Sequence, residues 1–279
     1  MNPNRRRAPN LIAFIVVGFA SIGLLATIPI PNAKAAEWAD LRVTFVYDAS
    51  EAPTRKRIAP LADATCMPES MMPLSEEFIV DPITMGIQNV ALYLDSKNSG
   101  LQKCDTHPAL QSAPSEPTSL EIRKCVFEPH LFISRVGQKL KLINSDEYGH
   151  NPNFIFFAND PESRMQPPGQ SVEIELANSE KAPSPIRCNI HPWMQAYVLV
   201  FDHPYTGVSD QHGVINIEKL PAGKAITFKI WHESMAKSID EVSFNGKPTI
   251  WPKGNFRLTL APGMNDLGAI KIKPDEFKD

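Results

Sequence analysis

The 279-residue chain lacks several sequence signatures that would assign it quickly. Its four cysteines, Cys66, Cys104, Cys125 and Cys188, include no C-x-x-C pair, so a thioredoxin-like dithiol and a zinc ribbon have no support. There is no C-x-x-C-H either, which removes covalently attached haem. Neither sign of charge dominates: the formal net charge is −3, a poor basis for binding nucleic acid. No apolar run beyond residue 30 is long enough to span a bilayer. Charged residues still make up 21% and hydrophobic ones 43%, a balance that excludes a disordered chain and supports one large or two ordinary cores.

What is present starts with a leader. Arg5, Arg6 and Arg7 precede an apolar stretch over 11–30, and Ala33-Lys34-Ala35 has the small-x-small form of a cleavage site. Residues 1–35 are therefore expected to be a signal peptide that sends the chain to the periplasm or otherwise out of the cytoplasm. Its removal takes away four cations and no acidic residue, moving the net charge from −3 to −7. An uncleaved leader would instead anchor the chain in a membrane through 11–30; Pro29, Pro31 and the cleavage site favour removal.

The remainder is rich in proline, 26 residues, and in short apolar runs separated by turn signals, a pattern of strands and loops rather than long helices. Strand-like runs fall at 41–47, 86–94, 123–127, 131–136, 139–144, 153–157, 172–176, 185–188 and 196–201. A second set falls at 206–209, 213–217, 225–231, 239–244 and 256–260. The expected architecture is all-β. An N-terminal extension over 36–120 packs on a sandwich over 121–201, and a smaller β-domain covers 202–279.

The chemistry is concentrated in Cys188-Asn189-Ile190-His191-Pro192-Trp193-Met194. A thiol, an imidazole and a thioether lie within seven residues. From the composition, a chance C-x₂-H-x₂-M is expected roughly 0.003 times in such a chain. A loop with two-residue spacers can turn three side chains toward one point, which an extended strand cannot do. Soft sulfur with imidazole is a copper ligand set, and two histidines, one cysteine and a distant axial methionine define a blue-copper centre. The second imidazole must come from elsewhere. His150, 38 residues upstream and just after Asn144-Ser145-Asp146, is the candidate. With Cys188 so used, three cysteines remain, enough for one disulfide and one spare thiol. Cys66 and Cys125 are the candidate pair, although loop length alone does not choose among Cys66, Cys104 and Cys125.

Residues 121–201 resemble the cupredoxins of the plastocyanin and amicyanin type, carried by Cys188-x-x-His191-Pro192-x-Met194 and by 136–151 with Asn144-Ser145-Asp146 and His150-Asn151. More narrowly, Cys125-Val-Phe127-Glu-Pro129-His130, Asp202-His203-Pro204-Tyr205 and Trp231-His232-Glu233 are similar to bacterial proteins labelled methylamine-utilisation or plastocyanin-like. In those proteins the C-terminal part is a transthyretin-like or carboxypeptidase-regulatory β-domain; here 213–223 carries that pattern. The resemblance implies a Greek-key cupredoxin sandwich with one type 1 copper. His150, Cys188 and His191 would be equatorial ligands, Met194 the axial ligand, and Asn151 a hydrogen-bonding link between the ligand loops. Glu147-Tyr148-Gly149 departs from the proline common before the first ligand in plastocyanins.

Three functions compete. An exported single-electron carrier, exchanging with donor and acceptor proteins that the sequence does not name, fits a closed Cys/His/Met site with no position for substrate. A multicopper enzyme needs close His-x-His pairs, and no two of the seven histidines lie two apart. A non-redox copper-delivery protein, or an exported β-sandwich binding module, would need an exposed, exchangeable site or a docking face. His130 reads more readily as a turn residue than as a second metal ligand.

Overall fold

A computed structural model of the chain describes residues 38–58, 66, 73–95, 97, 99–102 and 105–278. The expected signal peptide and Cys104 lie outside the described residues. Among the described residues there is no α-helix, and no helix long and apolar enough to cross a membrane.

The strands in chain order are β1 (Trp38–Tyr47), β2 (Ala91–Leu94), β3 (Thr118–Arg123), β4 (Val126–Glu128), β5 (Leu131–Arg135), β6 (Lys139–Asn144), β7 (Pro152–Phe154), β8 (Glu162–Ser163) and β9 (Ser171–Glu175). They continue as β10 (Ser184–Cys188), β11 (Gln195–Phe201), β12 (Thr206–Val208), β13 (Val214–Pro221), β14 (Ala225–Trp231), β15 (Glu241–Phe244), β16 (Lys247–Ile250), β17 (Asn255–Thr259) and β18 (Gly263–Ile272). The all-β expectation holds, and the strands form two sandwiches.

The first sandwich sets a sheet of order β4-β3-β6-β9 against one of order β5-β11-β10-β7-β8. Alternate residues of both sheets meet in one core: Leu120, Ile122, Leu140 and Leu142 from one side, Phe154, Ile186, Val198 and Val200 from the other. The second sandwich sets β13-β1-β18-β15-β16 against β12-β2-β14-β17. Its core holds Leu41, Val43, Phe45, Ile270 and Ile272 opposite Leu92, Phe228 and Phe256. A third, smaller cluster joins the two: Leu131, Leu199 and Phe201 of β5 and β11 meet Ala91 of β2, flanked by Tyr93, Tyr197 and Trp231.

Within the segment 36–120, Ile58 and Cys66 pack on the core of the first sandwich, whereas the strands β1 and β2 belong to the second. β1 pairs antiparallel with β13 and parallel with β18, and β2 lies between β12 and β14. Without these two strands, residues 202–279 would leave β13 apart from β18 and β12 apart from β14, opening backbone edges in both sheets. Ala39, Leu41, Val43 and Phe45 alternate inward along β1, so its apolar face is spent on the second core.

The run expected at 123–127 also breaks in two. Lys124 and Cys125 both adopt positive φ, 52° and 55°, making a two-residue turn between β3 and β4. Neither residue is a natural choice there, since glycine and asparagine dominate such turns. The Asp146 carboxylate compensates by accepting both turn N–H groups, at 2.5 Å from Lys124 and 2.8 Å from Cys125.

Near β1, two backbones cross at Gly86 and Gly213. A Cβ on Gly213, which has φ +79°, would lie 2.3 Å from the Phe45 carbonyl oxygen and 2.9 Å from Gly86 Cα. Gly213→Ala is therefore expected to lower unfolding stability by about 2–4 kcal/mol, read as a reduced urea midpoint with unchanged slope.

A buried histidine makes the fold sensitive to acid. His232 is 1% exposed; its Nε2–H donates to the Gln88 carbonyl and its Nδ1 lone pair accepts the Ser234 N–H. Burial holds its pKa down to about 3, against about 6.5 when unfolded. The neutral ring thus contributes stability above pH ~6.5 that is lost as pH falls toward 3, at up to about 1.4 kcal/mol per pH unit. Urea unfolding of the metal-free protein at pH 7.5 and 5.0 should show this loss, and His232→Gln should show a smaller one. Equal losses would remove His232 as the cause.

Candidate metal centre

The His150 loop leaves the end of β6 and is shaped by buried polar groups. Asn144, fully buried, uses its side-chain amide to donate to the carbonyls of Tyr148 at 2.8 Å and Gln166 at 2.9 Å, while its Oδ1 accepts from the Asp146 N–H. His150 is fixed further by a pair of backbone bonds with Gln166. The second loop follows β10. It is closed by Met194 N–H to the His191 carbonyl, 2.9 Å, and Cys188 N–H to the Met194 carbonyl, 3.2 Å. Asn189 N–H donates to the Asn151 carbonyl at 2.9 Å, and its side-chain amide to Asn151 Oδ1 at 3.3 Å, so Asn151 links the two loops.

These loops bring three of the singled-out side chains together. One ligand atom each from His150, Cys188 and His191 lies within 4.8 Å of the others. His150 Nδ1 faces His191 Nδ1 at 3.0 Å, and Cys188 Sγ lies 3.6 Å from His191 Nδ1. All are buried: His150 is 0% exposed, Cys188 and His191 3% each, and Met194 1%. A first-row metal bound at about 2.0–2.3 Å by imidazole and thiolate spans separations of this size. The His191 N–H points at Cys188 Sγ, 3.4 Å away.

The other edge of His150 carries its own structure. Nε2 faces Asp146 Oδ2 at 3.1 Å. A carboxylate only accepts, so Nε2 carries the proton and Nδ1 presents a bare lone pair toward Cys188 and His191. Burial, followed by His191, depresses the His150 pKa, while Asp146 opposes this; burial likewise depresses that of His191. Both rings are held in the neutral form a metal requires.

Cys66 and Cys125 are disulfide-bonded with Cα atoms 6.3 Å apart, and Cys66 Sγ lies 4.0 Å from His150 Nε2. Cys66, Cys125, Asp146 and His150 form a second compact group of potential ligands, but a disulfide offers no thiolate, so this face of His150 is the poorer metal site. Trp193 ties the loops to the disulfide by donating its indole N–H to the Cys125 carbonyl at 2.9 Å.

Asp146 is the residue that motif reasoning passed over. It serves the turn, the disulfide residue and the ligand ring at once. Its separation of four residues from His150 was the available signal.

No protein-family model matches the chain, and no curated protein matches it. Among solved structures it is similar to a copper-containing nitrite reductase from Thermus scotoductus SA-01, at 19% identity over 30% of this chain, with TM-score 0.28. The match spans 22% of that enzyme's length, so the chain corresponds to less than a quarter of it. It is also similar to a purple cupredoxin from Nitrosopumilus maritimus, at 18% identity over 30% of this chain and 98% of that one, TM-score 0.26. An amicyanin variant in its Cu(I) form matches at 17% identity over 39% of this chain and 97% of that one, TM-score 0.27.

Proposed function

We propose that the protein is a type 1 copper protein that carries single electrons outside the cytoplasm. The observation that carries this reading is the buried convergence of His150 Nδ1, His191 Nδ1 and Cys188 Sγ. Two neutral imidazoles and a thiolate suit copper over hard cations such as calcium and magnesium, which prefer oxygen. Met194, buried in the same loop, would offer its thioether as a further ligand. Bound copper would supply one-electron exchange between its cuprous and cupric forms.

The chain's own residues do the rest. The loop bonds and the Asn151 link hold the donors at similar positions in both oxidation states, which keeps the rearrangement on electron transfer small. Burial excludes water and leaves no room for a substrate, so the reading assigns no catalysis to the metal. Exposed Ile190 and Pro192 flank buried His191, placing that ligand just beneath a contact surface for donor and acceptor proteins. Export through residues 1–35 supplies the oxidising compartment that the Cys66–Cys125 disulfide calls for.

Voltammetry of the copper-loaded protein tests the carrier role. One reversible one-electron wave with slow copper loss to a chelator is the expected outcome. Absence of a wave together with rapid copper transfer would favour delivery and overturn the carrier reading.

A further inference from the structure

His130 lies in the turn between β4 and β5, outside the group formed by His150, Cys188 and His191. It is 8% exposed, yet its Nδ1 has no hydrogen-bond partner. The opposite nitrogen, Nε2, is bonded to Glu233 Oε1. The Glu233 side chain is itself buried and accepts the Gln195 side-chain amide at 3.0 Å through its other oxygen. Since a carboxylate only accepts, Nε2 carries a proton, and in the neutral ring Nδ1 would turn a bare lone pair toward the Glu76 carboxylate, 3.7 Å away. Both border a cavity of about 220 Å³, which Glu77, Pro192, Trp193 and Met194 also line.

A lone pair aimed at a carboxylate is repulsive unless positive charge lies between them. The surroundings call for such charge. Although burial opposes it, Glu233, Glu76 and the Gln195 backbone together raise the His130 pKa. Burial in turn raises that of Glu76; His130 and Arg55 oppose the shift, and Glu128 and Glu233 add to it.

Distance selects the kind of cation. A direct hydrogen bond from a proton on Nδ1 would bring the Glu76 oxygen to about 2.7–3.2 Å, shorter than the observed 3.7 Å. An ammonium nitrogen with tetrahedral hydrogen bonds of about 2.8 Å places two acceptors roughly 4.6 Å apart. A tetrahedral zinc-like ion with bonds of about 2.0–2.1 Å places two ligand atoms roughly 3.3–3.5 Å apart, the closest of the three to the observed gap. The carboxylate behind the far nitrogen is the usual partner of a metal-bound histidine.

We propose a second metal site, in which a divalent transition-metal cation of the zinc type is bound by His130 Nδ1 and Glu76, with Glu233 as the positioning residue that fixes the His130 tautomer. Water in the cavity completes the coordination. The ion would clamp three parts of the chain: the β4–β5 turn of the first sandwich, the segment carrying Glu76, and the loop after β14 of the second.

Zinc is the probe, measured by equilibrium dialysis and elemental analysis on the metal-free protein. Wild-type protein should take up two equivalents, one at each site, and Glu76→Gln only one at zinc concentrations that saturate the wild type. A double variant, Cys188→Ala with His191→Ala, should retain one equivalent, and adding His130→Gln or Glu76→Gln should weaken it at least 10-fold. Zinc should also raise the melting temperature of wild-type protein more than that of Glu76→Gln. Glu76 is one-third exposed and its replacement nearly isosteric, so a folded variant is expected even where His130→Gln fails to fold. Equal zinc uptake and equal thermal response in wild type and Glu76→Gln would overturn the proposal. Because the double variant lacks two of the four residues assigned to copper, the result stands apart from whether the first site binds copper.

Discussion

In copper-loaded Cys188→Ser protein, the intense visible absorption expected of the wild type should vanish. The band arises from charge transfer between a thiolate and cupric ion, and Cys188 is the one sulfur among the described residues that can supply a thiolate, since Cys66 and Cys125 are spent in a disulfide. Serine matches the shape but does not ionise near neutral pH, so it neither gives the band nor replaces the bond. Copper affinity should fall by more than the roughly 10–100-fold typical of outer-shell changes. The fold should survive, because the side chain shrinks only slightly and the backbone bonds from Cys188 to Met194 and from Asn189 to Asn151 remain. A band of undiminished intensity in this variant would remove Cys188 from the site.

Asp146→Asn should act without touching the metal. Asp146 accepts three N–H groups, from Lys124, Cys125 and His150 Nε2. An amide in its place has one acceptor oxygen, so at least one of these donors loses its partner, costing about 1–3 kcal/mol of stability. The neutral amide also withdraws the charge that makes the His150 imidazole a better donor. Copper affinity should drop about 10–100-fold. The reduction potential should rise, because cupric ion depends more on ligand basicity than cuprous ion does. Competition titration and voltammetry measure both effects. Unchanged affinity with only lowered stability would reduce Asp146 to a brace for the β3–β4 turn.

The sequence exposes what is local and hides what is distant. Cys188, His191 and Met194 can be singled out because a single loop holds all three at fixed spacing. His150 follows from the need for a second imidazole after a strand. Asp146 stays hidden because its partners at 124 and 125 lie across a parallel strand pair, β3 with β6. The break at Lys124–Cys125 is invisible for the same reason: the residues that make its strained turn tolerable come from another part of the chain. β18 gives little alternation, carrying Gly263, Asn265, Asp266 and Gly268 among its ten residues, yet it is the parallel partner of β1. The assignment of β1 and β2 to the second sandwich depends wholly on pairings across more than 100 residues, which no local pattern records. His130, Glu76 and Glu233 likewise meet only in the folded chain.

The most direct test is a crystal of the copper-loaded protein measured at the copper absorption edge. An anomalous peak bonded to His150 Nδ1, His191 Nδ1 and Cys188 Sγ, with Met194 Sδ as a more distant neighbour, is the expected result. A peak on the Nε2 side of His150, among Asp146 and the two disulfide cysteines, or no peak near Cys188 at all, would contradict it.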